Sequence, residues 1–294
     1  MQKKQKAVLA LAVVTALFSI AVLLYPLAGT LYNARHLSTV RSQYLETVAQ
    51  AEDDVLRRLR REARAYNRLI RGGAREAGAF DRAALQRARD GYKDQLDLLG
   101  DGVMGYVEIP KIGVELPILH GTEDETLLRG AGHLLGSSLP VGGKGTHAVL
   151  TAHSGMAASR MFSDLPELEE GDVFFLRVLG RRLGYRVDQI CITAPEETDA
   201  LRIEREEDLV TLVTCTPFGI NTPRLLVRGR RIPEEALETA AQEAEREAPA
   251  RHHSVWGSAY GQGIALGLAI VAAAAGSFWL GRAVVCHRKK NKKT

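Results

Sequence analysis

Cysteine is scarce in this chain. Three residues, Cys191, Cys215 and Cys286, among 294 are too few for a disulfide framework. The Cys and His spacings of a zinc site are missing, as is a glycine-rich motif for cradling nucleotide phosphates. No cofactor is therefore expected. No long-period repeat or low-complexity tract occurs, which excludes a solenoid. An acidic surplus is also lacking. The net charge is +4, and much of the excess sits at the ends, in Lys3, Lys4 and Lys6 and in residues 288–293. Each basic end abuts an apolar run, so both read as membrane flanks and not as a nucleic-acid surface.

What is present falls into five segments. Residues 1–32 carry a basic start and the apolar run Ala7 to Gly29, with no charge until Arg35. That length spans a bilayer. A cleaved signal peptide is the competing reading, with Ala28-Gly29-Thr30 as its small-residue site. Residues 33–99 form a helical arm. Leu37, Val40, Tyr44, Val48, Val55, Leu59 and Tyr66 recur at helical spacing, and Arg57, Arg58, Arg60 and Arg61 crowd the opposite face. The arm's arginines read as a solvated face, with contact to anionic lipid or wall polymer as the alternative. Gly72, Gly73 and Gly78 end that helix, Phe80 and Asp81 follow in a loop, and Asp90 to Leu99 returns to helical spacing.

From Val103 the period changes to two. Residues 100–233 hold short apolar runs bounded by turn residues, including Met104 to Ile109, Val114 to Leu119, Thr146 to Ala152, Val173 to Leu179, Leu183 to Thr193, Leu209 to Thr216 and Arg224 to Ile232. Evenly spaced short strands of this kind predict a mainly β fold, a closed β-barrel with flanking helices. Residues 234–254 read as an acidic helical linker. Residues 255–294 hold a second apolar stretch with Trp256, Tyr260 and Trp279 near its ends, then the basic tail. Both termini are expected in the cytoplasm, with the barrel held outside on two transmembrane helices.

The most informative stretch is TLVTCTPFGINTPRLLVRG, Thr211 to Gly229. Cys215 ends one strand, and Arg224 opens the next after a loop marked by Pro217, Gly219, Asn221 and Pro223. An antiparallel hairpin would return Arg224 beside Cys215. A fixed cation there favours thiolate, the nucleophilic form. On composition alone a strand-end Cys is also a small buried hydrophobe. In an exported protein Cys191 and Cys215 also allow one disulfide. Four histidines, His120, His133, His147 and His153, fall in the barrel region. Spacing alone does not choose a proton carrier among them, although His153 stands where an apolar strand ends in small residues.

The stretch TLVTCTPFGINTPRL resembles the active-site strand of the sortases, and most closely the pilin-polymerising class C of Gram-positive bacteria. GDGVMGYVEIPKIGVELPILHGT is similar to the start of the sortase barrel, and THAVLTAHSGM to the segment that carries the catalytic histidine. The resemblance implies Cys215 as nucleophile, His153 as proton carrier and Arg224 as the group that orients carbonyls or binds an oxyanion. Pro223 departs from the His that these enzymes commonly carry, and Ala152-His153-Ser154 departs from Gly-His-Arg. In the class, a lid with an Asp-Pro-aromatic motif covers the site. Here only Phe80 and Asp81 stand in that region, in reversed order.

The implied activity is a cysteine transpeptidase. It would cleave a Leu-Pro-x-Thr-Gly-like sorting signal after Thr through a thioester, then join the Thr to a lysine amine of another pilin subunit. Its partners would be pilin or surface proteins bearing that signal, the lysine acceptor and the membrane, without nucleic acid. The alternatives are attachment of single proteins to peptidoglycan by the same chemistry, and a non-catalytic membrane-tethered binding module.

Overall fold

The computed structural model describes residues 38–73, 90–155, 160–216 and 223–248, with scattered residues toward both termini. The apolar runs expected to span a membrane lie largely outside the described residues, and so do Phe80 and Asp81. Among the described residues no helix is long and apolar enough to cross a membrane.

Eight strands close into a barrel: β1 (Val103–Ile109), β2 (Val114–His120), β3 (Ala131–His133), β4 (Thr146–Thr151), β5 (Val173–Val178), β6 (Arg181–Thr193), β7 (Asp208–Cys215) and β8 (Arg224–Arg231). Around the barrel their order is β1-β2-β3-β4-β7-β8-β6-β5. The β2–β3 and β4–β7 pairs are parallel, and the remaining pairs are antiparallel. Closure leaves no unpaired strand edge. The mainly β, closed-barrel expectation is met.

The interior is filled by Val107, Ile118, Phe162, Phe174, Leu176, Tyr185, Leu212 and Val227, all buried. Phe174 and Tyr185 stack with centroids 5.7 Å apart. Gly229 makes room for them, since a Cβ there would lie 2.5 Å from the Phe174 ring. Any side chain at 229 would push that stack apart.

Outside the barrel lies the arm. A bend at Ala51 and Glu52 divides the expected continuous helix, and α1 (Asp53–Gly73) follows it. Tyr44, Leu56, Ala63, Tyr66 and Ile70 are buried against the barrel. The Tyr44 hydroxyl donates to the Met104 carbonyl at 3.1 Å and accepts from the Leu179 amide at 3.0 Å. The Asn67 side chain donates to the Leu139 carbonyl and accepts from its amide. These bonds satisfy polar groups that burial would otherwise penalise.

Two local expectations change. Residues 90–99 are consecutive turns, not a helix. Gly91, Leu96 and Gly100 all take positive φ, which interrupts helical hydrogen bonding while still burying Tyr92 and Leu96. Between β2 and β3 sits the one-turn helix α2 (Asp124–Leu127). The acidic segment after the barrel forms α3 (Glu234–Glu247), which buries Ala240 and Ala241 and pairs Glu245 with Arg182 at 3.4 Å. It therefore packs on the barrel and is not a free tether.

Candidate active site

Strands β7 and β8 pair so that Cys215 lies directly opposite Arg224. The Thr216 amide donates to the Pro223 carbonyl at 3.1 Å and continues that ladder by one step. Proline has no amide to donate, but its carbonyl suffices here. The Arg224 Nη1 donates to Cys215 Sγ at 3.1 Å. Both side chains are half-buried.

On the other side of β7 lies β4, parallel to it, with Thr151 opposite Val213. The match continues beyond the last strand residue. The Ala152 amide donates to the Val213 carbonyl at 3.1 Å, and the Thr214 hydroxyl donates to the Ala152 carbonyl at 2.9 Å. Two residues past the Thr151–Val213 pair, His153 is level with Cys215. Neighbouring strands lie about 4.8 Å apart, and level residues of adjacent strands share a face. His153, Cys215 and Arg224 thus stand in a row across three strand ends. The Phe162 amide donates to the His153 carbonyl at 3.0 Å and anchors the chain just beyond the strand.

Sequence reasoning missed Ser154 as more than a departure from a pattern. Its hydroxyl donates to the Cys215 carbonyl at 2.7 Å. It ties the histidine segment to the cysteine strand beside the nucleophile. No spacing rule announces such a bond, because it joins residues sixty-one positions apart.

The other barrel histidines are spent elsewhere. His133 is fully enclosed, its ring bonded to the Tyr92 hydroxyl at 2.8 Å and the Ser138 carbonyl at 2.9 Å. His147 is bonded to the Arg202 carbonyl at 2.8 Å and the Thr211 hydroxyl at 2.7 Å. Burial pushes each imidazole down to about 4, so both are neutral near pH 7. His120 faces the Gly102 and Gln95 carbonyls with its two nitrogens, at 3.0 and 2.8 Å. Among the described residues the His153 ring alone of these four makes no hydrogen bond.

A wall stands beside the row. Val149, Val213 and Leu226 form a small apolar cluster on the Cys215 face, and Ala200 and Leu201 of the β6–β7 connection pack on it. His147 holds that connection at Arg202, and Arg228 holds it at Glu204 with a 3.2 Å bond while also gripping Asp188. Cys191 belongs to the same cluster, and burial pushes its thiol up. Cys191 and Cys215 are both free thiols, so the disulfide considered from the sequence does not form. Among the described residues no group of three or more His, Cys, Asp or Glu is arranged to hold a metal ion.

A thiol beside a guanidinium and level with an unengaged imidazole is equipped for acyl transfer through sulfur. Comparison with known proteins agrees with that chemistry. Residues 107–232 match the sortase domain. The chain is similar to sortase C of Streptococcus pneumoniae, studied for its catalysis and pilin substrate specificity, at 40% identity and a TM-score of 0.58, covering 66% of this chain and 97% of that one. It is also similar to Clostridium perfringens sortase C bound to a C-terminal cell wall sorting motif, at 40% identity and a TM-score of 0.56, covering 67% and 99%. Against sortase D of Bacillus subtilis it is 32% identical over 131 residues, which is 44% of this chain and 63% of that relative's length.

Proposed function

The chain belongs to the sortase family, whose members are cysteine transpeptidases, and on that premise we propose that it polymerises pilins through Cys215, His153 and Arg224. The observation that carries the reading is the 3.1 Å contact from Arg224 Nη1 to Cys215 Sγ. A guanidinium in contact with the sulfur is placed to meet the negative charge that develops on the attacked carbonyl.

In the first half of the reaction the Cys215 thiolate attacks the Thr carbonyl carbon of a Leu-Pro-x-Thr-Gly-like signal. The Arg224 fork meets the oxyanion that develops on the carbonyl oxygen. The C–N bond to Gly breaks, and His153 as imidazolium gives its proton to the leaving amine. A thioester to Cys215 remains. In the second half a lysine amine of another pilin subunit attacks the thioester carbonyl, neutral His153 takes the amine's proton, and the thiolate leaves. Charge and protons return to their starting state, so no cofactor is required.

Arrangement along the chain follows from the same reading. Residues 1–32 and 255–294 would carry the membrane anchors, 33–99 the helical arm with Phe80 and Asp81 on a lid, 100–233 the catalytic barrel and 234–254 the connection to the second anchor. The apolar runs flanked by basic ends support two spans with the barrel outside the cell. The class C structural relatives support pilins over single surface proteins as substrate. The reading is tested by incubating the protein with a Leu-Pro-x-Thr-Gly peptide and an amine. The amide joining Thr to the amine is the expected product. Its absence with every lysine-bearing acceptor, alongside an intact fold, contradicts the reading.

A further inference from the structure

A second site lies at the other end of β4. Thr146 opens that strand, and His153 follows its end seven residues later, roughly 23 Å away at strand rise. Between α1 and the turn that enters β4 is a cavity of about 220 Å³. Its charged lining is Arg64, Arg68, Arg71 and Lys144, with no carboxylate in the lining among the described residues. We propose that this cavity binds a phosphate-bearing anion.

The arginines recur at four and three residues along α1 and so share one face. Nearer the start of the same helix Arg57 pairs with Asp53 and Asp54, and Arg58 with Glu62, while Arg60 Nε donates to the Leu56 carbonyl. Arg64 and Arg68 make no ion pair or hydrogen bond among the described residues. Arg71 Nη1 donates to the Lys144 carbonyl at 3.1 Å, which sets the depth of the cavity by tying helix to turn. The turn approaches that closely because Gly145 has no side chain. A Cβ there would lie 2.8 Å from Arg71 Cδ. Lys144 Nζ reaches Glu206 at 3.4 Å, but both side chains are 80% exposed, so that pair competes weakly for the ammonium.

The donor set selects the ligand. The amides of Gly143 and Gly145 are already given to Asp208 and to the Glu207 carbonyl, and Asn67 is given to Leu139. Recognition is left to the guanidinium forks and the ammonium. A carboxylate offers two acceptor oxygens and one charge. A phosphate ester offers three or more oxygens and up to two charges, which suits several forks converging from one helix face. That chemistry is shared by a soluble phosphate ester and by a phospholipid headgroup.

The test uses the full chain in neutral detergent. Reaction of each arginine with phenylglyoxal is followed by peptide mass spectrometry in inorganic phosphate, sodium acetate and sodium chloride at matched ionic strength. Phosphate should slow modification of Arg64 and Arg68 several-fold and leave Arg57 and Arg58 unchanged. Equal protection by acetate or chloride, or none by phosphate, overturns the proposal. Phosphate should also raise the melting temperature of the wild type and of an Arg57→Gln/Arg58→Gln variant. It should not do so in Arg64→Gln/Arg68→Gln. An equal rise in all three overturns it as well. Reconstitution in phosphatidylglycerol and in phosphatidylcholine nanodiscs separates the sources. Protection in phosphatidylglycerol without added phosphate identifies a lipid headgroup, and protection by glycerol phosphate alone identifies a soluble ester. Protection in neither overturns the proposal. None of these readouts involves Cys215, so the outcome is independent of the transpeptidase reading.

Discussion

Cys215 and Arg224 occupy facing positions of one hairpin, with the guanidinium donating to the sulfur at 3.1 Å. Their separation is set by ladder geometry, so substitution at 224 acts on chemistry without disturbing the strands. Arg224→Lys keeps the charge and loses the planar fork. It should lower kcat/KM for sorting-peptide cleavage by about 100-fold or more, the cost of removing one oxyanion donor. The melting temperature should stay near that of the wild type. Steady-state kinetics beside a thermal melt checks both halves.

Ser154→Ala removes one hydroxyl, the donor to the Cys215 carbonyl. The lost bond is worth about 1 kcal/mol. Its consequence should be a several-fold fall in kcat with little change in KM, since the hydroxyl is given to the Cys215 backbone and holds the histidine segment to the cysteine strand. Ser154→Thr, which retains a donor, should recover most of the rate. A fall in KM-linked binding with unchanged kcat would assign the residue to the substrate groove.

Stability should depend on pH through His133 and His147. Both are held near 4 by burial in the folded chain, against about 6.5 when unfolded. The unfolded state therefore binds more protons between those values, and stability falls as pH drops from about 6.5 to about 4. Above that window the two imidazoles are neutral in both states and add no slope. Each contributes up to about 3 kcal/mol across it. Urea unfolding at stepped pH should show His147→Asn with a slope shallower by about one proton.

Much of the site is legible in the sequence. Cys215 and Arg224 flank a turn between a β-branched run and a second apolar run, and a hairpin of those runs is the arrangement that brings the two together. His153 needed more. It shares its residue type with three other barrel histidines, and family resemblance selected it. The structure adds that His120, His133 and His147 have both ring nitrogens engaged. Strand β3 was not legible because Ala131-Gly132-His133 has no propensity of its own. It is a strand through its parallel partner β2, and Gly132 lets the Gly121 backbone come close. Tyr92 and Leu96 gave a helical rhythm to residues 90–99. Burial of both from a chain of turns satisfies the same rhythm, and left-handed Leu96 leaves no trace in composition. The cavity at Arg64 and Arg68 was invisible for another reason: the helix face that looks solvated in sequence is closed over by a turn some seventy residues away.

The most direct measurement is the intact mass of the protein after mixing with a Leu-Pro-x-Thr-Gly peptide in the absence of any amine. The wild type should gain the mass of the peptide through Thr, the adduct should map to Cys215, and hydroxylamine should release it as a thioester requires. Cys215→Ala should gain nothing, and His153→Ala should accumulate the adduct far more slowly. An adduct that persists in Cys215→Ala, or a wild type that cleaves the peptide without ever carrying it, would contradict the account.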